Sequence, residues 1–567
     1  MPPPPAPPRS RGGPLLVVAA SALATLPVWL TTFPPMVDYP QHLAMAAALR
    51  FYGDPARGFA ETYGIAWGAP QALFEWLTAG LAWLLPIEIA GKLVVALALA
   101  AVGPAALVLV RRLGKPDWYA VLPLAAMFNY AYSWGFVGTL FAYPLFLVGV
   151  AAADRLLPQP GGRGRFGAGA WLLLAALTLS FYLVHLQLLL LFAAAVAWLV
   201  AVRRPGWRRA AAPLVALLPG VLVVAAVVLL PNLVSPAESF SPYEQSMKAV
   251  GARWRSLPLK LSVMPGLVFG SYPGLKELAV AALAAGLGLV VARRRRREPE
   301  RGKARDRLFR DRFAWLAAAL FALYLLLPER FMGYLVAERL APLAGILALV
   351  SLPAPRGRAV VAKALAAALL VVSLGLATAQ ALAFERDAAG LAGLLRAAAP
   401  GRRLAGVVYD PYAEPAGAGP LLLRYPLYTH FPALYQALRG GRVLFSFAEL
   451  SHSLVRYRPG REWPPDLLAR VADRHPRAFS LPRDGPRFDY LLARGERAEL
   501  PAVLGPGLAA WDVRSAGRWH LLHRRHFVAP SAAPSDWTGP RSSGTLPSSA
   551  EAVPPGGGGL YRQWEGR

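Results

Sequence analysis

Residues 14–43 read PLLVVAASALATLPVWLTTFPPMVDYPQHL. The stretch 14–33 carries no charge. A bilayer's hydrocarbon core takes about 20 apolar residues to cross as a helix, so this stretch predicts a membrane span. The chain then turns polar at Asp38-Tyr39-Pro40-Gln41-His42, just beyond the end of that span. Pro40 has its backbone angle preset for the first turn of a short helix. Asp38 then stands where a residue caps such a helix. His42 follows about one turn later on the same face. Two readings stay open for the pair. Asp38 and His42 form one site at the membrane surface, a general base with an assisting imidazole, or they are a helix cap and an interfacial histidine.

Outward from this segment the chain keeps the same alternation. Spans are expected at 14–33, 87–110, 118–153 (two helices around an aromatic turn near Tyr130 to Phe136), 166–202 (two helices around Ser180 to His185), 210–232, one ending at 292, 313–328, 340–354 and 364–384, about eleven in all. Residues 34–86 make an outer loop with a short amphipathic or re-entrant helix at 71–86. The composition agrees: 56% of the 567 residues are hydrophobic and only 16% charged, against about 25% charged in soluble domains.

The net charge of +28 is not spread evenly. Arg9/Arg11, Arg111–Lys115, Arg155–Arg165, Arg203–Arg209, Arg293–Arg312 and Arg356–Lys363 all fall on one side when spans are counted from the N-terminus. Positive loops stay cytoplasmic. That puts the N-terminus in the cytoplasm, as an uncleaved signal anchor, and Asp38 outside. The clustering also argues against nucleic acid as partner. The absence of cysteine excludes disulfides and thiolate chemistry. No Walker loop, dinucleotide fingerprint or His-Glu-x-x-His spacing is present.

The domain plan is therefore a disordered leader at 1–13, a transmembrane domain at 14–384, a small extracytoplasmic α/β domain at 385–528 and a disordered Pro/Ser/Gly tail at 529–567. Within the α/β domain Phe488 to Leu492 reads as a strand, and Trp511 to His523 as a hairpin about Gly517.

An acidic residue in the first outer loop of a many-span protein resembles the GT-C glycosyltransferases. Several bacterial groups of that superfamily carry an Asp-x-Pro-x-His-Leu pattern, matched here by Asp38, Pro40, His42 and Leu43. The segment Phe128-Asn129-Tyr130 through Trp134-Gly135-Phe136 and Phe141 is similar to an aromatic turn in the same groups. The resemblance implies a polytopic GT-C-like α-helical fold. It also implies a transferase that moves a sugar from a polyprenyl-phosphate donor to a glycan, lipid or protein acceptor outside the cytoplasm. Inversion and catalysis by Asp38 with His42 follow from it. Family members often place an arginine after the late outer loop, which makes Arg339, with Arg330 beside it, the expected phosphate ligand. His185, Tyr39 and Trp134 are the remaining expected substrate contacts. No metal ligand is assigned, although a divalent cation on Asp38 with Glu61 or Glu75 stays open. His430 and His452 either reach the acceptor or are surface histidines, and Lys260, Arg253 and Arg255, in an outer loop at 233–263, either guide an anionic head group or are simply solvated. The Ala- and Arg-rich, Lys-poor composition suggests a bacterial inner membrane. The alternatives are a transporter or flippase, for which mid-span charges are scarce, and a non-catalytic polysaccharide-assembly protein on the same scaffold.

Overall fold

The computed structural model describes residues 12–157, 166–203, 207–229, 244–245, 251–272, 275–292, 308–331, 334–355, 358–413, 425–471 and 476–525. The expected leader up to residue 11, the tail 529–567 and most of the stretch 230–250 lie outside them.

Among the described residues five helices are long and apolar enough to cross a membrane: Ile87–Arg112, Val137–Leu156, Leu186–Arg203, Arg209–Val227 and Ala359–Asp387. Six shorter apolar helices pack with them: Gly13–Trp29, Ala168–Val184, Leu257–Phe269, Glu277–Ala292, Arg312–Leu326 and Leu340–Ser351. Together they make a polytopic helical bundle.

The elements depart from the sequence expectation where proline and glycine interrupt them. Over 118–153 only Val137–Leu156 is a full α-helix. The first half, Asp117–Ala126, is a 3-10 coil containing Pro123, which removes a backbone donor that an α-helix needs. The aromatic turn between them is a one-turn helix, Tyr130–Trp134, capped by the Asn129 side chain and ended by Gly135 at φ 80°. The single span expected to end at 292 is two helices, Leu257–Phe269 and Glu277–Ala292, because the backbone turns at Gly270. Gly270 has φ 91°, and a Cβ there would meet the Phe128 carbonyl at 2.5 Å. Lys260 accordingly sits inside a helix and not in a solvated loop. It is buried, and its Nζ donates to the carbonyls of Tyr324, Leu325 and Leu327 at 2.8, 3.1 and 2.5 Å, closing the end of Arg312–Leu326. Arg255 is likewise spent, in a two-pronged pair with Glu329.

The basic segments meet at one end of the bundle. Asp154 is wholly buried and holds Arg112 at 2.6 Å, Arg203 at 2.7 Å and Arg312 at 2.6 Å. Lys115 donates to the carbonyls of Val350 and Leu352, and Gly13 packs on Asp117, which pairs with Arg111. Thus the ends of at least five helices are gathered by the residues whose charge the sequence placed on one side.

At the opposite end lie two small ribbons and the α/β unit. One ribbon pairs Tyr63–Ile65 with Val455–Tyr457. The other runs Ala252–Arg253, Arg330–Phe331, Tyr334–Leu335. The α/β sheet has the spatial order Arg442–Val443, Arg403–Val408, Tyr490–Arg494, Trp519–Arg524, Trp511–Ala516. Its first three strands are parallel and the last two antiparallel to their neighbours. The hairpin turns at Gly517, φ 55°. The helix Ala359–Asp387, 29 residues and so about 43 Å long, outruns the hydrocarbon core and delivers its end to this sheet. There Asp387 meets the fully buried Arg494 at 2.7 Å. Arg494 also holds Asp410 at 2.8 Å and lies 3.8 Å over the ring of Tyr428.

Candidate active site

The helix after the turn that follows Gly13–Trp29 is Tyr39–Arg50, with Asp38 at its cap position. The Asp38 carboxylate makes no capping hydrogen bond. The helix start is fixed by other means: Pro40 in its first turn, and backbone bonds from Val37 N–H to Ser133 O at 3.1 Å and from Asp38 N–H to Trp134 O at 2.9 Å. Gly135 lets the two segments approach this closely, since a Cβ there would stand 2.7 Å from the Asp38 nitrogen. The carboxylate is thereby available, and it lies 2.9 Å from Nδ1 of His430, which comes from the α/β unit.

His430 is therefore not a surface histidine. It is buried against Phe445 and Phe447. The expected partner, His42, points elsewhere. Its Nδ1–H donates to Glu75 at 2.6 Å, and its ring abuts Phe74 and Phe447. The two histidines flank the same Phe447 ring, at 5.3 and 5.8 Å between centroids, but it is the His430 ring that bonds to the Asp38 carboxylate.

Arg339 and His185 come together. The guanidinium donates to His185 Nε2 at 2.8 Å and lies 3.8 Å over the Phe136 ring. Accepting that bond makes His185 neutral, with its proton on Nδ1. That Nδ1 and the Arg339 Nε are both buried and have no hydrogen-bond partner among the described residues. The Asp38 carboxylate is within electrostatic reach of the guanidinium. A cation and two N–H donors that are unpartnered among the described residues thus lie within electrostatic reach of the Asp38 carboxylate. The carboxyl of Glu338, next in sequence to Arg339, is buried with both oxygens unpartnered among the described residues. Burial, with Glu329 nearby, pushes it up to about 8.

The other expected contacts are placed differently. Trp134 is half-buried and stacks on Phe136 at 5.9 Å. Tyr39 is wholly buried in the helix packing, edge-on to Phe74 and pressed on Gly91, so it faces no open surface. Arg330 lies in the three-stranded ribbon, paired in register with Arg253 and Leu335. Glu61 is exposed on the short helix Phe59–Thr62 and Glu75 is held by His42. Neither joins Asp38, and among the described residues no three His, Asp or Glu gather closely enough to hold a metal.

No family model matches the chain, and no curated protein matches its sequence. Among solved structures, the crystal structure of ArnT from Cupriavidus metallidurans bound to undecaprenyl phosphate aligns with 93% of this chain and 100% of that chain, at a TM-score of 0.51 and 15% identity. The chain has the GT-C glycosyltransferase fold. At that identity the likeness concerns the fold. Sequence reasoning missed His430 and Glu75 as partners, since each lies far along the chain from the residue it touches. The one local sign was an imidazole amid aromatics in Tyr428-Thr429-His430-Phe431.

Proposed function

We propose that this protein is a glycosyltransferase that moves a sugar from a polyprenyl-phosphate donor to a hydroxyl acceptor on the extracytoplasmic side of a bacterial inner membrane. The observation that carries the reading is the Asp38 carboxylate, which caps nothing, accepts from His430 at 2.9 Å and lies within electrostatic reach of Arg339. The GT-C fold shared with an undecaprenyl phosphate-bound structure supports a lipid-linked donor. The gathering of Arg112, Arg203 and Arg312 on Asp154 at the far end supports an outward-facing Asp38 through the positive-inside rule.

In this reading Arg339 holds the donor phosphate by charge-assisted hydrogen bonds, with the Nδ1–H of His185 as a second donor. Asp38 takes the proton of the acceptor hydroxyl. The acceptor oxygen bonds to the anomeric carbon, the carbon–oxygen bond to phosphate breaks, and its electron pair leaves with the lipid phosphate. Attack opposite the leaving group inverts the configuration. A general base supplies about 10²–10⁴-fold. Phosphate stabilisation and positioning supply much of the remainder. His42 supports the site from behind, through Glu75 and Phe447, and does not touch the reacting atoms.

The test is mass spectrometry of envelope glycans and polyprenyl-linked sugars in a deletion strain. The reading expects one glycan modification to vanish while its lipid-linked sugar accumulates. Unchanged glycans and unchanged lipid-linked sugars count against it.

A further inference from the structure

Glu338 stands in the turn between the ribbon strand Tyr334–Leu335 and the helix Leu340–Ser351, one residue before Arg339. It is 2% exposed, and both of its carboxyl oxygens are without a hydrogen-bond partner among the described residues. We propose that Glu338 sets the charge of the donor-phosphate site: while it is a neutral acid the Arg339 cation is left for the phosphate, and once it ionises the phosphate is held more weakly. The proposal rests on the reading of Arg339 as the phosphate ligand given above.

The turn that carries Glu338 is pinned. Val336 N–H donates to Glu329 O at 3.0 Å, and Val336 O accepts from Gln187 Nε2 at 2.9 Å. Leu340 N–H donates to Ala337 O at 3.0 Å. Facing the carboxyl from the elements around it are Glu329, Arg255, Lys260, Tyr324 and Tyr130, besides Arg339. The cations in this set are committed elsewhere. Arg255 donates to both oxygens of Glu329. Lys260 donates to the carbonyls of Tyr324, Leu325 and Leu327, and Arg339 to His185. A carboxylate buried with neither a hydrogen bond nor a direct counter-ion is strongly disfavoured against its acid form. Glu338 therefore keeps its proton up to about 8.

This neutrality matters because of what else Arg339 feels. Its guanidinium has both Asp38 and Glu338 within electrostatic reach. A carboxylate that acts as a base is ionised, so Asp38 and Arg339 balance, as Arg255 and Glu329 do. A second ionised carboxylate would tip the site negative, the wrong sign for a phosphate that carries about −1.5 to −2 at pH 7. With Glu338 neutral the sum stays at zero, and no adjacent carboxylate competes for the charge-assisted donors of Arg339. Bound phosphate in turn disfavours the Glu338 carboxylate. Binding therefore takes up protons around pH 8, and affinity falls as pH rises through that value. The phosphate is already ionised in this window and the guanidinium does not titrate there.

The experiment titrates the purified full chain in mixed micelles with undecaprenyl phosphate, by isothermal titration calorimetry at pH 7 and pH 9.5. Wild type should bind about tenfold more weakly at pH 9.5, the effect of one neighbouring charge at intermediate dielectric. Glu338→Gln, which cannot ionise, should show the same affinity at both pH values. Wild-type calorimetry at pH 8.5 in two buffers of different ionisation enthalpy gives a check that needs no variant, and net proton uptake is expected. Equal wild-type affinity at pH 7 and pH 9.5, a fall of the same size in E338Q, or binding without proton uptake overturns the role of Glu338 alone. A wild-type chain that binds no undecaprenyl phosphate at pH 7, or an Arg339→Leu variant that binds it as wild type does, overturns the assignment of Arg339 as phosphate ligand and the role of Glu338 with it.

Discussion

Replacing Asp154 by Asn should loosen the whole basic end of the bundle. The carboxylate is wholly buried and accepts from three guanidiniums belonging to Arg112, Arg203 and Arg312. Arg203 is 1% exposed and Arg312 is 8% exposed, so neither can recover by hydration. Both keep carbonyl partners, since Arg203 also donates to Leu157 and to the Asp154 backbone, and Arg312 to Phe309. Removing one partner of a buried pair costs about 3–5 kcal/mol, mostly from the charge left behind. Arg112 is partly exposed and contributes at most about 1 kcal/mol. The expected loss for D154N is therefore about 4 kcal/mol. It is read from the SDS midpoint of unfolding in mixed micelles, with Asp117→Asn as the comparison. Asp117 pairs through its side chain with the more exposed Arg111, and a partly exposed pair of this kind should cost about 1 kcal/mol or less. A D154N midpoint indistinguishable from D117N would refute the claim that a buried charge cluster gathers these spans.

Arg339→Leu should weaken undecaprenyl phosphate binding by tenfold or more, the scale of a charge-assisted hydrogen bond, and native mass spectrometry reads it directly. Replacing Glu449 by Gln tests the α/β unit's pH response. Burial pushes this carboxyl up to about 8 from its ordinary 4.5. The folded state thus binds a proton that the unfolded chain has released, and stability falls as pH rises from the ordinary carboxylate value to about 8. E449Q should raise the melting midpoint at pH 8 and leave it nearly unchanged at pH 5, by differential scanning fluorimetry. An equal shift at both pH values would contradict the sign.

Much of the bundle was legible because its signals are local. Runs of uncharged residues mark spans, and the arginines at their ends mark one face. The structure brings Arg112, Arg203 and Arg312 to one carboxylate, which hydropathy alone does not encode. The errors arose where a backbone break is set by tertiary contact. The Leu257–Phe269 helix ends at Gly270 because the chain there presses on Phe128, and no periodicity reveals that. The place of Asp38 at the head of the Tyr39–Arg50 helix was legible, since Pro40 fixes the helix start. Its partner was not. Asp38 and His430 are 392 residues apart, and the nearer His42 offered a plausible local pair that Glu75 takes instead. Lys260 read as solvated because a lone lysine near polar residues looks exposed, yet three carbonyls at a helix end hold it.

The most direct measurement is transfer by Asp38→Asn, with undecaprenyl phosphate binding followed on the same preparation. Asn fills the same space and can no longer take a proton. Transfer should fall by about 10²–10⁴-fold while lipid-phosphate binding stays at the wild-type level. Transfer at the wild-type rate by a folded D38N chain would contradict the assignment of Asp38 as the base.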